Sequence, residues 1–373
     1  MAASTSIGDS AVPVSIDDLL RREHAPPDLA WMGDYLEGKR VMVTGGGGSI
    51  GSELCRQICQ ANPAGLLMLD SGENSLCEID LEIGERFPGV SRSAQLADIR
   101  CAARTREIFA HFRPQIVFHA AAFKHVPLLE AHPREVVLNN IVGTAQLARL
   151  ALAYHSERFV LISSDKAVNP VSVMGVSKRV AELYMQQLSR VPGHAQTKFF
   201  AVRFGNVLGS AGSVLPRFRR QIARGGPVTV THPGMSRYFI STPESVHFLI
   251  AAAAMAAGGE IFVLDMGEPI PVMDLARHLI TQSGLQPDRD IAIQITGVRP
   301  GEKLQEELWT RSEHPQPTAN PKIMAIWDHG VPSGVNLDTA IDELRVLAEE
   351  GHVQHMMERL RFLVPEFHSQ GPA

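Results

Sequence analysis

From Lys39 onward, short continuous apolar runs alternate with amphipathic stretches of helical period. Strands are predicted at Arg40–Thr44, Gly65–Leu69, Ser93–Leu96, Ile116–His119, Arg158–Ser163 and Lys198–Phe204. Helices are predicted over Ser52–Gln60, Asn74–Arg86, Arg104–His111, Pro133–Ala153 and Met174–Leu188. Strands that are apolar almost throughout, separated by helices, imply a parallel sheet covered on both faces. After Arg203-Phe204-Gly205-Asn206 the pattern loosens into Gly- and Pro-rich loops, and one further strand, Glu260–Leu264, looks placed to return to the sheet. The expected division is a leader over 1–38, a first domain over 39–205 joined by strand 260–265, and a smaller lobe made mainly of 206–373.

The first strand and helix enclose Gly45-x-x-Gly48-x-x-Gly51. Gly45 permits the tight turn, Gly48 lets backbone approach a pyrophosphate, and Gly51 lets the helix pack on the strand, while Ser49 and Ile50 open the helix whose N–H groups face the phosphates. The next strand closes on Asp70, 19 residues past Gly51, where a carboxylate accepts ribose hydroxyls. No Lys or Arg follows Asp70 until Arg86, so nothing local is offered to a 2′-phosphate and NAD is expected rather than NADP. The expected fold class is therefore α/β, a Rossmann-type doubly wound parallel sheet with a smaller C-terminal α/β substrate-binding lobe in a cleft at the strand ends.

Composition narrows the class. With 373 residues, 45% hydrophobic and 20% charged, the chain is long enough for two cores. A net charge of −5 argues against nucleic acid as a partner. The four cysteines, Cys55, Cys59, Cys77 and Cys101, have no second Cys or His pair to complete a zinc set, and no metal is expected. Few cysteines and no signal-like apolar core near Met1 fit a reducing cytoplasm. The longest helical apolar run is taken as Phe248 to Ala257, short of the ~20 residues that span a bilayer, so no membrane segment is expected. The leader is read as a cover for an edge or a neighbouring subunit, with disorder an equal alternative.

Candidate chemistry lies at the strand ends. His119-Ala120-Ala121-Ala122 supplies small side chains against which a dinucleotide can lie flat, and Asp98-Ile99 offers an adenine contact; plain packing and a turn are the bland alternatives. Sharper is Ser163-Ser164-Asp165-Lys166, followed by Met174-Gly175-Val176-Ser177-Lys178 opening a helix. Here the sequence resembles the extended short-chain dehydrogenase/reductase superfamily, in which a Ser or Thr, a Tyr, and a Lys beyond that Tyr carry out hydride chemistry. Ser164 and Lys178 match; Met174 stands in the Tyr position and has no proton to exchange. A degenerate NAD-binding site without catalysis is the competing interpretation.

The strings Val41–Gly51, Phe118–Pro127, Ser164–Pro170, Val202–Ser210 and Arg299-Pro300-Gly301-Glu302-Lys303 resemble UDP-N-acetylglucosamine 4,6-dehydratases of capsule and glycan biosynthesis, over about residues 39 to 310. The Met at 174 places the resemblance in the Met branch of that family, whose long members carry membrane helices ahead of the catalytic region. The resemblance implies that hydride leaves C4 of a UDP-N-acetylhexosamine for NAD, water leaves across C5 and C6, and hydride returns to C6. Oxidation at C4 acidifies the C5 proton. Lys166 is the candidate base, provided burial and Lys178 depress its pKa, and Asp165 the candidate acid; reversed roles and a plain salt bridge stay open. The C4 hydroxyl proton is left to Lys178, Asp165 or a water held by Ser164.

Lys178 is expected on the nicotinamide ribose, and Asn140 joins the cofactor contacts. Asn206, Arg237, Arg299 and Glu302 match family positions around the nucleotide diphosphate, and Lys124 and His125 are candidates for the sugar. A UDP-hexosamine 4-epimerase and a non-catalytic NAD-binding regulator are the rivals. Family analogy further implies retention at C5 and a homo-oligomer.

Overall fold

The structure is a computed structural model that describes residues 35–191, 193, 196–327 and 334–368. Most of the expected leader lies outside the described residues. The sequence alternation becomes β1 (Arg40–Thr44), α1 (Ser49–Gln60), β2 (Gly65–Asp70), α2 (Glu73–Arg86), β3 (Arg92–Leu96), α3 (Ala102–Phe112), β4 (Ile116–His119), α4 (Val126–Glu130), α5 (Pro133–Ala153), β5 (Arg158–Ile162), α6 (Val173–Arg190) and β6 (Lys198–Arg203). Then follow β7 (Asn206–Val207), α7 (Val214–Ala223), β8 (Val228–Val230), β9 (Ser236–Arg237), β10 (Phe239–Ile240), α8 (Thr242–Met255), β11 (Ile261–Leu264), β12 (Ile270–Pro271), α9 (Val272–Gln282), β13 (Ile293–Ile295), β14 (Gln316–Pro317), β15 (Ile323–Ile326), α10 (Leu337–Glu350) and α11 (Val353–Leu363).

Nine strands form one sheet in the order β14-β15-β11-β6-β5-β4-β1-β2-β3. From β3 to β11 every neighbour is parallel, and β15 and β14 add an antiparallel edge. The chain steps outward from β1 to β3, then crosses to β4 on the other side of β1. The carboxyl ends of β1 and β4 therefore diverge into a crevice, the usual place for a ligand in a doubly wound sheet. Burial explains the strand sequences. Each of β4, β5 and β6 is sealed on both faces, by Phe109, Leu147, Val180 and Tyr184 on one side and by Leu54, Ile58, Phe248 and Leu249 on the other. Cys55 and Cys59 lie in this second layer, unbridged; burial pushes the Cys59 thiol up to about 12, so it acts as a small apolar group.

Two details differ from expectation. The helix expected over 133–153 forms, but Val137–Gly143 is wound as a π-helix that carries Asn139 and Asn140. By length and composition this 21-residue helix is apolar enough to cross a bilayer, a candidate overlooked in favour of 248–257, although 67% of its apolar window is buried inside the fold. The C-terminal segment, assigned mainly to the smaller lobe, divides. The lobe's own core joins Leu215 and Phe218 of α7, Val228 and Val230 of β8, and Leu275 and Leu279 of α9. In contrast, Leu337, Leu344, Leu360 and Leu363 of α10 and α11 pack into the sheet layer with Val180 and Tyr184. Asp338 pins α10 there, accepting from Tyr184 Oη at 2.6 Å and Arg149 Nε at 2.9 Å.

Candidate active site

The glycine turn is compact because backbone replaces side chain. Gly45 has φ +70°, and a Cβ there would lie 2.8 Å from the Ala121 nitrogen and 2.9 Å from the Ala120 carbonyl carbon, so the turn rests directly on the end of β4. A Cβ on Gly51 would collide with the Gly45 carbonyl. Gly48 caps α1 with no side-chain acceptor, and the first turn holds no acidic residue, leaving a positive helix end open to an anion. Asp70 orders both neighbouring loops, accepting from the Gly47 N–H at 2.9 Å and the Gly72 N–H at 2.8 Å. Its remaining lone pairs are free for ribose hydroxyls. Ser49 Oγ accepts from the Ala211 N–H at 3.1 Å, which brings the first loop of the lobe over this helix end; Ile50 is half-buried against the core.

Other expected cofactor residues are already engaged. Asp98 forks onto Arg100, with its carboxyl held below the usual range by those hydrogen bonds, while the Ile99 side chain is buried beneath Gly143. Asn140 accepts from the Phe123 N–H at 2.9 Å and donates to the Phe123 carbonyl at 3.0 Å and to Ser177 Oγ at 3.1 Å. Its amide thus shapes the loop of Ala120, Ala121 and Ala122.

His119 is locked beneath the crevice. Thr144 Oγ1 donates to the Asn140 carbonyl at 2.8 Å and so accepts from Nε2–H, at 2.7 Å, while Thr44 Oγ1 donates to Nδ1 at 2.7 Å. Burial, and secondarily Lys178, pulls this imidazole down to about 3. In the unfolded chain it titrates near 6.5, so below that pH the unfolded state binds a proton that the folded state refuses. Its contribution to stability is full above pH 6.5 and is lost as pH falls toward 3, on the order of a few kcal/mol in total. The expected result is a urea midpoint that falls between pH 6.5 and 4 less steeply in His119→Asn than in the native chain; equal slopes would contradict it.

The chemical cluster sits at the carboxyl end of β5, on the one-turn helix Asp165–Ala167. Asp165 is fully buried: Oδ1 accepts from Ser164 Oγ at 2.9 Å and from Lys166 Nζ at 3.0 Å, while Oδ2 is enclosed without a partner. A Cβ on Gly205 would lie 2.9 Å from Oδ2, so a glycine is what admits this carboxylate. Lys166 Nζ also donates to Asn206 Oδ1 at 3.1 Å and lies 3.5 Å from Glu306 Oε1. Asn206, expected on a diphosphate, instead serves Lys166. Burial pulls the Lys166 ammonium down, but Asp165 and Glu306 outweigh it and hold its pKa above the usual value, with Arg237 opposing. The expected depression by Lys178 is therefore not found, and Lys166 rests as the ammonium.

Lys178 reaches from α6 to the end of β5. Its Nζ donates to the Ile162 carbonyl at 2.9 Å, and burial, partly offset by Glu182, lowers it to about 8. Met174, placed by the Ser172 cap of α6, packs among Val126, Leu129, Val136 and Val173 and is 3% exposed.

Toward the lobe, Arg237 is buried and spends Nη1 on the Ser236 and Leu304 carbonyls and Nη2 on the Lys303 carbonyl. It braces residues 303–306 rather than facing a diphosphate. Arg299 is 47% exposed and paired with Glu302 at 2.5 Å. Burial, and then the charge of Arg299, lowers the pKa of Arg217, which identifies a second guanidinium in this group. Nothing in the sequence marked Arg217, because α7 carries basic residues along its whole outer face. His125 lies over Gly212, beside the Ala211 N–H that reaches Ser49, and burial lowers the pKa of both His125 and Lys124. Glu306, whose side chain is 2% exposed, also belongs to this group, and nothing in the sequence marks it.

Comparison with known proteins adds the context. A family described as polysaccharide biosynthesis protein matches residues 41–328. The chain is 46% identical over 326 residues to the capsular polysaccharide biosynthesis protein CapD of Staphylococcus aureus, covering 87% of this chain and 54% of that protein, so it spans about half of that relative's length. It is 30% identical over 270 residues to a UDP-N-acetylglucosamine 4,6-dehydratase (inverting) of Campylobacter jejuni, covering 72% and 77%. It is 32% identical over 273 residues to a UDP-glucose 4-epimerase of Rickettsia canadensis, again covering 72% and 77%.

Proposed function

This chain belongs to the polysaccharide biosynthesis protein family, and from that premise we propose that it is an NAD-dependent 4,6-dehydratase of UDP-N-acetylglucosamine. The observation that carries this is the Asp165–Lys166 pair at the end of β5, with Asp165 fully buried and Lys166 Nζ 3.0 Å from its Oδ1. Elimination of water needs one group to take the C5 proton and another to protonate the C6 oxygen. Epimerisation at C4 needs neither.

The crevice fits a dinucleotide: Gly45 and Gly51 let the turn close tightly on β4 and α1 where a Cβ would strike backbone, α1 presents a bare positive end, and Asp70 keeps free lone pairs. NAD held there would supply a hydride acceptor for C4 and a donor for C6. Lys178 would hydrogen-bond the nicotinamide ribose. Ser164 already donates to Asp165, so the C4 hydroxyl proton has a path through Ser164 to that carboxylate, which then returns it to the departing C6 oxygen as water. Lys166, as the free amine, takes the C5 proton and, after exchange with solvent, later returns a proton to C5. Its resting ammonium must first lose a proton, so activity is expected to rise with pH. Arg299 and Arg217 offer guanidinium groups to the diphosphate.

The epimerase relative favours one alternative, a UDP-hexosamine 4-epimerase. Incubation with UDP-N-acetylglucosamine, read by mass, separates the two: loss of one water supports the dehydratase, and an unchanged mass with inverted C4 supports the epimerase. No reaction at all would leave the regulator.

Two binding results are expected. Asp70→Ala weakens NAD binding while hardly changing affinity for UDP, and a native protein that prefers NADP would overturn the role given to Asp70. Arg299→Ala chiefly raises the KM for the UDP-sugar, because a charge-assisted contact is lost. Unchanged UDP affinity would return Arg299 to the solvated surface.

A further inference from the structure

We propose that Glu306 is a positioning residue that holds Lys166 in its ammonium form and so sets the pH at which the site becomes competent; this rests on the dehydratase assignment above. Glu306 comes from the segment returning from the lobe, 140 residues after Lys166, and its side chain is 2% exposed. Oε1 lies 3.5 Å from Lys166 Nζ and 3.7 Å from Arg237 Nε, and Oε2 lies 4.0 Å from Lys303 Nζ. Oε2 is buried and makes no hydrogen bond. A carboxylate kept only for structure is normally saturated when buried, because each unmet acceptor costs free energy.

The geometry around Lys166 gives this carboxylate a task. An ammonium has three N–H donors, and three protein acceptors surround Nζ: Asp165 Oδ1 at 3.0 Å, Asn206 Oδ1 at 3.1 Å and Glu306 Oε1 at 3.5 Å. As an ammonium, Nζ has no lone pair for a substrate proton. Losing a proton frees one direction, and the longest contact, to Glu306, is the one most easily given up. The charged groups facing Lys166 are Asp165 on its own turn, Glu306 and Lys303 on the returning segment, and Arg237 on β9. Tyr238 lies beside Asp165 rather than Lys166. Lys303 is itself anchored by donating to the Val168 carbonyl at 2.6 Å. Removing the Glu306 charge leaves two cations against Lys166 with one carboxylate to balance them, and an opposite charge at this distance shifts a pKa by roughly 1–3 units.

The isosteric Glu306→Gln and the charge-preserving Glu306→Asp are the variants to compare, as full-length chains. The first readout needs no turnover: the Lys166 Nζ and Cε resonances, assigned by their loss in Lys166→Arg, are titrated by NMR. Glu306→Gln is expected to lower this pKa by about one unit or more, and Glu306→Asp to restore most of it. The second is the pH profile of kcat with UDP-N-acetylglucosamine, whose acid limb is expected to move to lower pH by the same amount with KM little changed. A Lys166 titration that does not move in Glu306→Gln would overturn the proposal whatever the enzyme turns over. A titration that moves while the native chain fails to dehydrate would uphold the electrostatic role of Glu306 and overturn the dehydratase assignment instead. A profile that merely drops at every pH, with the titration unmoved, would reduce Glu306 to packing.

Discussion

Asp165→Asn and Lys166→Ala are each expected to lower the rate of water elimination by roughly 10²–10⁴-fold, the contribution of a positioned acid or base. Both variants should keep NAD bound, since neither side chain belongs to the glycine cradle or to the Asp70 loops. The losses differ in kind. Asp165→Asn keeps the shape of a fully buried side chain and an oxygen for Ser164 and Lys166 to donate to, but removes the carboxylate that can take and return a proton. It should therefore impair oxidation at C4 as well as elimination. Lys166→Ala should spare the first hydride transfer, so that NADH absorbance accumulates, and should stop exchange of a C5 deuterium with solvent. Dehydration at the native rate in Lys166→Ala would reduce the pair to a salt bridge. Met174→Leu supplies the contrast: an apolar exchange within an apolar cluster should leave substantial activity.

Arg203→Met is expected to be the most destabilising single change in the sheet, by about 3–5 kcal/mol, because it strips the counter-charge from buried carboxylates. Arg203 is wholly buried at the end of β6 and forks onto Glu182 at 2.7 Å with both Nε and Nη2. It also forks onto Glu313, at 2.8 and 2.9 Å. Burial pushes the Glu182 carboxyl up, and Arg203 more than reverses that, keeping it ionised. Without Arg203, two carboxylates would share Arg179 alone, 3.3 and 3.6 Å away. Glu182 also accepts from Ser163 Oγ at 2.6 Å, and it follows Lys178 by one helical turn, so the change should blunt activity too. Urea denaturation checks the first effect. Adding Glu182→Gln and Glu313→Gln to Arg203→Met should recover much of the loss, since the cost lies in unpaired charge rather than missing volume. An unshifted midpoint in the single variant would show that the network is hydrated.

These two outcomes rest on contacts of different legibility. Asp165 and Lys166 were visible in the sequence because they follow Ser164 at a strand end, where the dehydratases that the chain resembles carry an acid and a base. Glu306 was not, since nothing local distinguishes one glutamate of Leu304-Gln305-Glu306-Glu307 from its neighbour. Only the path of the returning segment buries Glu306 against Lys166 and leaves Glu307 outside. The same holds for Arg203 and Glu313, 110 residues apart.

The sign of the Lys166 shift follows the same division. Burial alone argues for a depressed pKa, and that is what local sequence suggests. The tertiary fold adds Glu306 at 3.5 Å to the adjacent Asp165 at 3.0 Å, and together their charge outweighs desolvation. Likewise Arg237 and Asn206 sit in the expected neighbourhood but serve the protein's own carbonyls and Lys166.

By itself the amino-acid sequence determined the parallel sheet, the alternation of strands β1 to β6 with the five helices α1, α2, α3, α5 and α6, the glycine turn and Asp70, and the position of Asp165, Lys166 and Lys178 on their strand end and helix. Those depend on period, on backbone stereochemistry and on neighbours a few residues away. The tertiary structure alone decided the charge carried by Lys166, the partners of Asn140, Asn206 and Arg237, and the seat of α10 and α11 on the sheet. Each of those is an energy of contact between segments far apart along the chain, and no local pattern encodes which distant charge or apolar face will arrive.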